Sequence, residues 1–539
     1  MSESALRDAL RGALASLGVE DVEPHVERPR DPEHGDFATN LAMTLAGRLR
    51  KAPRAIAEDI AEAIDRSAAG ITAVEIAGPG FLNFRLSTDS VAEALGQVVE
   101  QVDAFGRTET GDGQGVMVEW VSANPTGPLH LGHGRQAALG DAVATLLEWT
   151  GWRVHREYYY NDSGKQMDRL ASSVWARYQQ LLGEEAEVPE DGYQGAYVTE
   201  VAREAHEKFG DQYRGDDSAE ALEAMRVVGV TTLRAEQDRD LNDFGVHFDR
   251  YYLESSLYED GEVEKTVARL RETGLVYEKD DATWLRTTDF GDDKDRVMLR
   301  SNGTATYFLP DVAYHMTKWD RGYHTAINVQ GSDHHGTVAR VRAGLQALGL
   351  PEGYPEYVLH QMVRVERDGH EVKFSKRAGS YTTLRELMDE VGVDVTRWFF
   401  QMRKPEGHLV FDLDMALDQS DKNPVYKVQY AHARMNSIFA KAGVDPGALS
   451  VDGVDLSVLS HELERDLLQR LADFPELLDR AAKGRAPHLV CDWLEQLAGA
   501  VNAWYHAGNP SRNPELAVLT EDEALRAARL LLCRGVQIV

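Results

Sequence analysis

Cysteine is nearly absent: Cys491 and Cys533 are the 2 cysteines in 539 residues. That excludes a disulfide framework and any cysteine-based zinc ribbon, and it fits a chain working in a reducing cytoplasm. No uninterrupted apolar stretch is long enough to cross a bilayer, and the N-terminus, MSESALRDALRG, is charged and amphipathic without an apolar h-region, so neither membrane insertion nor export is expected. Positive charge is scarce. The 58 Lys and Arg stand against 89 Asp and Glu, a formal net charge of −31, which as a global sum argues against a protein that coats nucleic acid with a basic surface. It does not exclude one basic groove, because a polyanion feels a local face. Two nucleotide fingerprints are missing as well: neither Gly-x-Gly-x-x-Gly nor the Gly-rich loop ending in Gly-Lys-Ser/Thr occurs, so dinucleotide and P-loop readings lack their signature.

What remains is a globular composition, 43% hydrophobic and 27% charged, in a 60.0 kDa chain too long for one core. Residues 1–105 read as a small α+β domain. Leu6, Leu10, Leu14 and Leu17 recur at helical spacing up to Gly18, Ile56, Ile60 and Ile64 do so after Pro53, and EIAGPGFLNFRL reads as a turn leading into a strand. The glycine-rich GRTETGDGQG is the expected join. Residues 106–410 carry the pattern of a doubly wound parallel sheet. VMVEWV, from Val116, is an apolar run of the kind buried on both faces; the helical RQAALGDAVATLLEWTG follows, and strand-turn-helix units return at TAINVQGSDHHGTVARVRAGLQALG and YVLHQMVRVERDGHEVKFSK. An insertion is expected around 184–300, most plainly in the acidic, weakly periodic 184–217. From 411 to 539 strand signals vanish and a helical bundle is predicted. Pro487 opens one helix, with an apolar face through Leu489, Trp493, Leu497, Val501 and Trp504, and Thr520 with Glu523 forms a capping box before the last.

Two histidines, His130 and His133, sit in NPTGPLHLGHGR directly after the apolar strand. Their spacing would allow a shared metal, but no third ligand lies near them and no His-Glu-x-x-His occurs, so no metal site is assigned. The bland alternative is a pair of ordinary residues at a helix start. A third reading is a phosphate site: Pro125, Gly127 and Pro128 make a tight turn, and Gly132 and Gly134 open a helix. Backbone N–H groups, a helix N-terminus and two imidazoles then surround one point at the C-terminal edge of a parallel sheet. A polyphosphate needs a further basic element, which VKFSKRAGS supplies through Lys373, Lys376 and Arg377.

HLGH at 130–133 and KFSKR at 373–377 resemble the His-Ile-Gly-His and Lys-Met-Ser-Lys-Ser signatures of class I aminoacyl-tRNA synthetases, with Phe374 in place of Met and Arg377 in place of Ser. The wider context resembles the arginyl-tRNA synthetase family: VEWVSANPTGPLHLGHGR, REYYYNDSGKQMDRLA, GSDHHG, VKFSKRAGSYTTLRELMDEVG and NPVYKVQYAHAR are similar to its segments, in its order, across almost the whole chain. The resemblance implies a multidomain α/β protein. A Rossmann-type doubly wound catalytic domain would lie between an N-terminal α+β tRNA-binding domain and a C-terminal all-α anticodon-binding domain. It implies an arginine-tRNA ligase that makes arginyl-adenylate from ATP and L-arginine, then passes the arginyl group to the 3′-terminal adenosine of tRNA(Arg), releasing AMP and pyrophosphate. Mg²⁺ would arrive on the ATP with no dedicated protein site. A cytoplasmic monomer is expected, with tRNA needed even for activation.

The same resemblance assigns roles. His130, His133, Lys373 and Lys376 are the catalytic donors, since phosphoryl transfer of this kind needs positioning and charge stabilisation rather than a protein nucleophile. Gly132, Gly331, Asp333, His334, Gln361, Ser375 and Arg377 form the ATP site. Within it Asp333 accepts from a ribose hydroxyl or merely caps a turn, and Gln361 reads adenine. A guanidinium calls for carboxylates, and Glu119 within an apolar strand is costly unless a cation joins it. The family match makes that cation the substrate, with Asp311 as second carboxylate, Tyr307 beside it and Asn124 on the α-amino group; a structural ion pair is the alternative. Tyr426, Lys427, Tyr430 and Arg434 suit stacking and phosphate contact with tRNA, or simply form a helix with a polar face. The tyrosines of REYYYNDSGK read as half core and half stacking platform. The chain ends at CRGVQIV inside a helical stretch, shorter than family members, which implies a truncated chain or an incomplete anticodon pocket. Two rivals remain: a class I synthetase for another amino acid, and a catalytically silent RNA-binding paralogue.

Overall fold

The leucine and isoleucine spacings of the N-terminal segment become buried helix stripes. Leu6, Leu10 and Leu14 lie within helix Glu3–Ser16, and helix Pro53–Ala63 starts at its proline and buries Ile56 and Ile60. They accompany an antiparallel sheet of β1 (Phe37–Thr39), β2 (Ile71–Ala77) and β3 (Phe81–Leu86) in the order β1-β3-β2. EIAGPGFLNFRL is therefore a hairpin, with a strand on each side of its turn. The computed structural model describes residues 3–27, 29, 34–67, 70–162, 164–372, 382–509, 511 and 513–539. It divides into two compact units, one of 1–108, 426–480 and 492–539, the other of 109–425 and 481–491.

The first unit also holds the C-terminal helices, among them Glu462–Lys483 and Glu523–Ile538. A buried ion pair joins those two, Arg529 Nε donating to Glu464 Oε1 at 2.6 Å. The last helix is capped by Asp522, whose Oδ1 accepts from Leu525 N at 3.1 Å, and not by the expected Thr520. Both residues have the right chemistry for the cap; Asp522 stands directly before the helix begins.

The second unit is built on a five-stranded parallel sheet. VMVEWV supplies β4 (Gly115–Glu119), in which Val116, Met117 and Val118 have no exposed surface, as a strand covered on both faces requires. After the helix Leu131–Trp149 the chain returns as β5 (Arg153–Tyr160), and β6 (Arg250–Leu253) pairs beside it. A small antiparallel sheet of β7 (Val276–Lys279), β8 (Ala282–Leu285) and β9 (Arg296–Leu299) precedes β10 (Thr325–Gly331) and β11 (Glu356–His360). The parallel order is β11-β10-β4-β5-β6. The chain builds outward from β4 in one direction through β5 and β6, then in the other through β10 and β11. The order thus reverses between β4 and β10, and in such sheets ligands bind outside the strand C-termini at that reversal.

Three expectations need correction. The stretch 184–300 is not wholly an insertion, because β6 within it is a strand of the central sheet. Nor is 184–217 only surface. Helix Ala196–Phe209 packs between Lys165–Leu181 and Ala219–Asp243, and Tyr197, Val198, Val201 and Ala202 join Leu170, Val174 and Tyr178 in a separate core. The tyrosine triplet is core as well: Tyr158 and Tyr160 are 0% and 1% exposed, and Tyr159 is partly buried, so no stacking platform results.

Helix Leu131–Trp149 sits so close to the end of β4 that a Cβ on Gly140 would lie 2.2 Å from Cγ of the buried Trp120. Alanine gains about 1 kcal/mol of helix propensity over glycine, but overpacking a core costs about 1–3 kcal/mol. Gly140→Ala is therefore expected to lower the thermal unfolding midpoint; an unchanged or raised midpoint contradicts this packing.

Candidate active site

The two signature histidines cap their own helix. His130 is the N-cap of Leu131–Trp149: its Nδ1 accepts from His133 N at 3.3 Å, and His133 Nδ1 accepts from His130 N at 3.4 Å. The rings stack at 3.6 Å with 15° between planes. A ring nitrogen that accepts a backbone N–H carries no proton, so in both neutral imidazoles the proton stands on Nε2, which becomes a donor. Burial pushes both groups below the usual histidine range; Asp333 opposes this at His130, and at His133 the neighbouring His130 and His360 add to it. Each ring is thus a neutral donor. A Cβ on Gly132 would come within 2.8 Å of the His130 ring, so only glycine leaves room for the stack.

The turn between β4 and this helix is strained. Val121 and Ser122 both adopt left-handed backbone, φ +64° and +42°, which is costly for a β-branched residue. Hydrogen bonds hold it there. Ser122 Oγ donates to Glu119 Oε1 at 3.0 Å and accepts from Tyr159 N at 3.1 Å, Tyr158 Oη bonds both the N–H and the carbonyl of Ala123, and Gln237 Nε2 donates to the carbonyls of Asn124 and Gly127. Asn124 Nδ2 donates to Gln166 Oε1 at 2.6 Å.

Glu119 does not wait for an external cation. Lys318, fully buried in helix Phe308–Asp320, donates to its Oε2, and Asn328 on β10 adds a 2.8 Å bond to the same oxygen. The expectation that the substrate supplies this charge is replaced by a structural ion pair. Lys318 also lies 4.4 Å from the centre of the Tyr314 ring. The unspent acids are elsewhere. Asp311, on the first turn of the same helix, accepts no hydrogen bond among the described residues and is pushed up to about 7 by burial, then by Glu254, with Arg340 opposing. Glu254 directly follows β6; burial raises it too, against the Tyr159 hydroxyl that donates to it at 3.0 Å. On β10, Gln330 Oε1 is buried without a partner among the described residues. Tyr307 is 73% exposed at the N-terminus of the Asp311 helix.

At the neighbouring strand ends, Gly331 pairs with His360 in the β10–β11 register. Asp333 and His334 follow Gly331 in an exposed turn, 3.6 Å from each other, and Ser332 Oγ donates to Gln361 Oε1 at 3.3 Å. Lys373, Phe374, Ser375, Lys376 and Arg377 lie outside the described residues. Beyond them Thr383 bridges His130, and Leu384 N donates to the Leu129 carbonyl at 2.8 Å. No group of three or more His, Cys, Asp or Glu suited to a metal occurs among the described residues.

Comparison with known proteins places the chain in a family. Residues 95–403 match the model described as tRNA synthetases class I (R), catalytic domain, residues 4–86 that of the arginyl tRNA synthetase N terminal domain, and 428–539 that of the DALR anticodon binding domain. The chain is 51% identical over 525 residues to the arginine–tRNA ligase of Geotalea daltonii, covering 95% of this chain and 91% of that one. The chain belongs to the arginyl-tRNA synthetase family. It is 49% identical over 558 residues to the arginine–tRNA ligase of Burkholderia orbicola, covering 97% and 92% of the two chains. The solved Thermus thermophilus arginyl-tRNA synthetase superposes with a TM-score of 0.77 at 25% identity, covering 100% of this chain and 97% of that one.

In the helical part of this synthetase, Tyr426 and Tyr430 stack at 5.7 Å on helix Pro424–Ala442. Arg434 lies 4.4 Å from the Tyr430 ring and 4.7 Å from that of Tyr505, and it bonds Asn502. Lys427 runs beside Gly499. Sequence reasoning missed Tyr505 and Asn502, which face Arg434 from another helix, and it missed Glu254. An acid immediately after an apolar strand was the available signal for Glu254, as for Glu119, but β6 has only 4 residues.

Removing one partner of a buried pair leaves an uncompensated charge, which costs about 3–5 kcal/mol, whereas removing both costs far less. Lys318→Met is expected to lower the urea midpoint strongly, and the double variant Glu119→Gln with Lys318→Met to restore most of it. Equal loss in the single and double variants contradicts the pairing.

Proposed function

We propose that the crevice at the reversal between β4 and β10 carries out both steps of an arginine-tRNA ligase. L-arginine and ATP form arginyl-adenylate and pyrophosphate, and the arginyl group then moves to the terminal adenosine of tRNA(Arg). The arginine carboxylate attacks the α-phosphorus, and negative charge grows on the phosphoryl oxygens. His130 and His133 meet that charge with Nε2–H donors, beside the positive end of their helix. Lys373 and Lys376, with Ser375 and Arg377, bring cationic and hydroxyl groups to the polyphosphate. Mg²⁺ carried in on the ATP would offset part of the phosphate charge, leaving these side chains to orient the polyphosphate. Gly132 and Gly331 leave room for the nucleotide, Asp333 and His334 take the ribose, and Gln361 takes the base.

The observation that carries the arginine assignment is the pair Asp311 and Glu254, two part-buried acids without an ion-pair partner among the described residues. Such a pair repels itself until a cation enters, and a guanidinium with five donors satisfies both. Tyr307 and Asn124 complete the substrate site. Glu119 acts from behind, as the paired charge that holds the Ser122 turn. Residues 1–105 and 411–539 hold the tRNA, with Tyr426, Lys427, Tyr430 and Arg434 on the anticodon side, while 106–410 does the chemistry. The enzyme works as a cytoplasmic monomer.

Three outcomes test this. Exchange of pyrophosphate into ATP is expected with L-arginine and cognate tRNA together; exchange supported equally by cysteine or glutamate refutes the assignment. Asp311→Asn is expected to raise KM for arginine by about 10²–10³ while KM for ATP moves little, since a charged partner is lost at one subsite only. Equal rises in both would take Asp311 out of the pocket.

The third outcome is a pH dependence. With its acid form stabilised up to about 7, Asp311 must give up a proton to hold a guanidinium. Arginine affinity is therefore expected to rise from about pH 6 to about pH 8 and then level off, with proton release below about 7. In the free enzyme the sign runs the other way. The folded chain holds that proton more tightly than the unfolded one, so this group's contribution to stability declines as pH rises from the ordinary carboxylate range to about 7. Calorimetric titration with arginine at pH 6.5 in two buffers of different ionisation heat measures the released proton, and identical heats contradict the assignment.

A further inference from the structure

Two residues beyond His133, Arg135 is completely buried, yet its guanidinium forms no ion pair among the described residues. It is spent on backbone carbonyls instead. Nη1 donates to Gln361 O at 2.7 Å and Gly407 O at 3.1 Å, and Nη2 to Lys404 O at 3.0 Å. Burial pushes the group down to about 10, with Glu406 opposing, so it stays charged at neutral pH. A buried cation bonded only to neutral oxygens, with its Nε left without a partner among the described residues, is an expensive way to fill a core, and an apolar side chain of similar length fills the same volume without that cost. The guanidinium supplies three directed bonds to two distant segments of chain.

Those segments meet at the C-terminal end of β11. Gln361 follows the last residue of β11, and its N–H donates to the Pro405 carbonyl at 2.9 Å, so residues 361 and 404–407 form one unit. His360 adds a second buried donor to the Gln361 carbonyl, Nδ1 at 3.2 Å. Arg135 meanwhile rides on the helix whose first turn is the histidine cap. The same helix therefore carries the histidine cap at its start and, one turn later, the clamp on the Gln361 segment.

We propose that Arg135 is a positioning residue that fixes the distance between the phosphate-binding end and the base-binding end of the nucleotide site. This rests on the reading that Gln361 meets the base. A ligand spanning both ends needs the spacing, whereas a ligand using one end does not. Losing the clamp lets the Gln361 edge drift, and a misplacement of about 1 Å commonly costs about 10²-fold.

The test is inhibition of tRNA charging by adenosine and by inorganic tripolyphosphate, with KM for ATP and for L-arginine, in wild type, Arg135→Met, Arg135→Lys and Gln361→Ala. In Arg135→Met, adenosine inhibition and KM for ATP are expected to worsen by about 10- to 100-fold. Tripolyphosphate inhibition and KM for arginine should stay within about twofold, and Arg135→Lys should recover part of the ATP term. Equal loss for all four ligands, or none, overturns the proposal. Should the Met variant fail to fold, the Lys variant carries the same comparison at smaller amplitude. Adenosine binding that ignores Gln361→Ala refutes the base-binding reading; adenosine binding sensitive to Gln361→Ala but indifferent to Arg135 refutes the clamp alone.

Discussion

The catalytic half of the chain depends on one buried contact, the carboxylate of Glu119 held by Lys318 and Asn328. It joins three elements at the place where the strand order reverses: β4 through Glu119, β10 through Asn328, and the helix Phe308–Asp320 through Lys318. The strained turn hangs from its other oxygen through Ser122. Two consecutive left-handed residues that are not glycine persist only when their surroundings over-determine them, and here Tyr158, Tyr159 and Gln237 complete the restraint. The chain runs from that turn into the histidine cap, so the position of His130 and His133 is inherited from an ion pair that touches neither.

Charge in this half of the molecule is sorted by depth and by partner. Glu157 is held well below the usual carboxylate range: burial works against it, but the paired bonds from Arg321 and the contact with His155 outweigh that. Glu119 has Lys318. Asp311 and Glu254 have no ion-pair partner among the described residues; burial raises both, and Glu254 adds to the rise at Asp311. The formal charge of −31 says nothing about this distinction, because a surface acid and a pocket acid count alike in the sum. What separates them is which acids were given a cation by the fold.

Much of the site was legible in the amino-acid sequence. β4 and β10 announce themselves as apolar runs, and the histidine turn as prolines and glycines wedged between a strand and a helix, because local sterics and burial dictate those patterns. Partnership across the fold was not legible. Lys318 in YHMTKWD looks like a surface charge on an amphipathic helix, and only the packing of that helix under β4 and β10 makes it the partner of Glu119. Glu254 escaped because β6 is short and three helices separate it in sequence from β5. The tyrosines of β5 misled for a related reason: their hydroxyls suggest a wet surface, yet Tyr158 turns its hydroxyl onto the backbone of Ala123 and buries the rest. Arg135 reads as an ordinary helix cation until its three carbonyl partners are seen.

The reciprocal histidine cap fixes the direction in which each ring can donate. Uncharged rings whose Nδ1 atoms are tied to backbone offer directed N–H vectors but no lasting positive potential. Under the proposed function, that favours an oxyanion with several oxygens at fixed angles, which can meet both donors along their own directions.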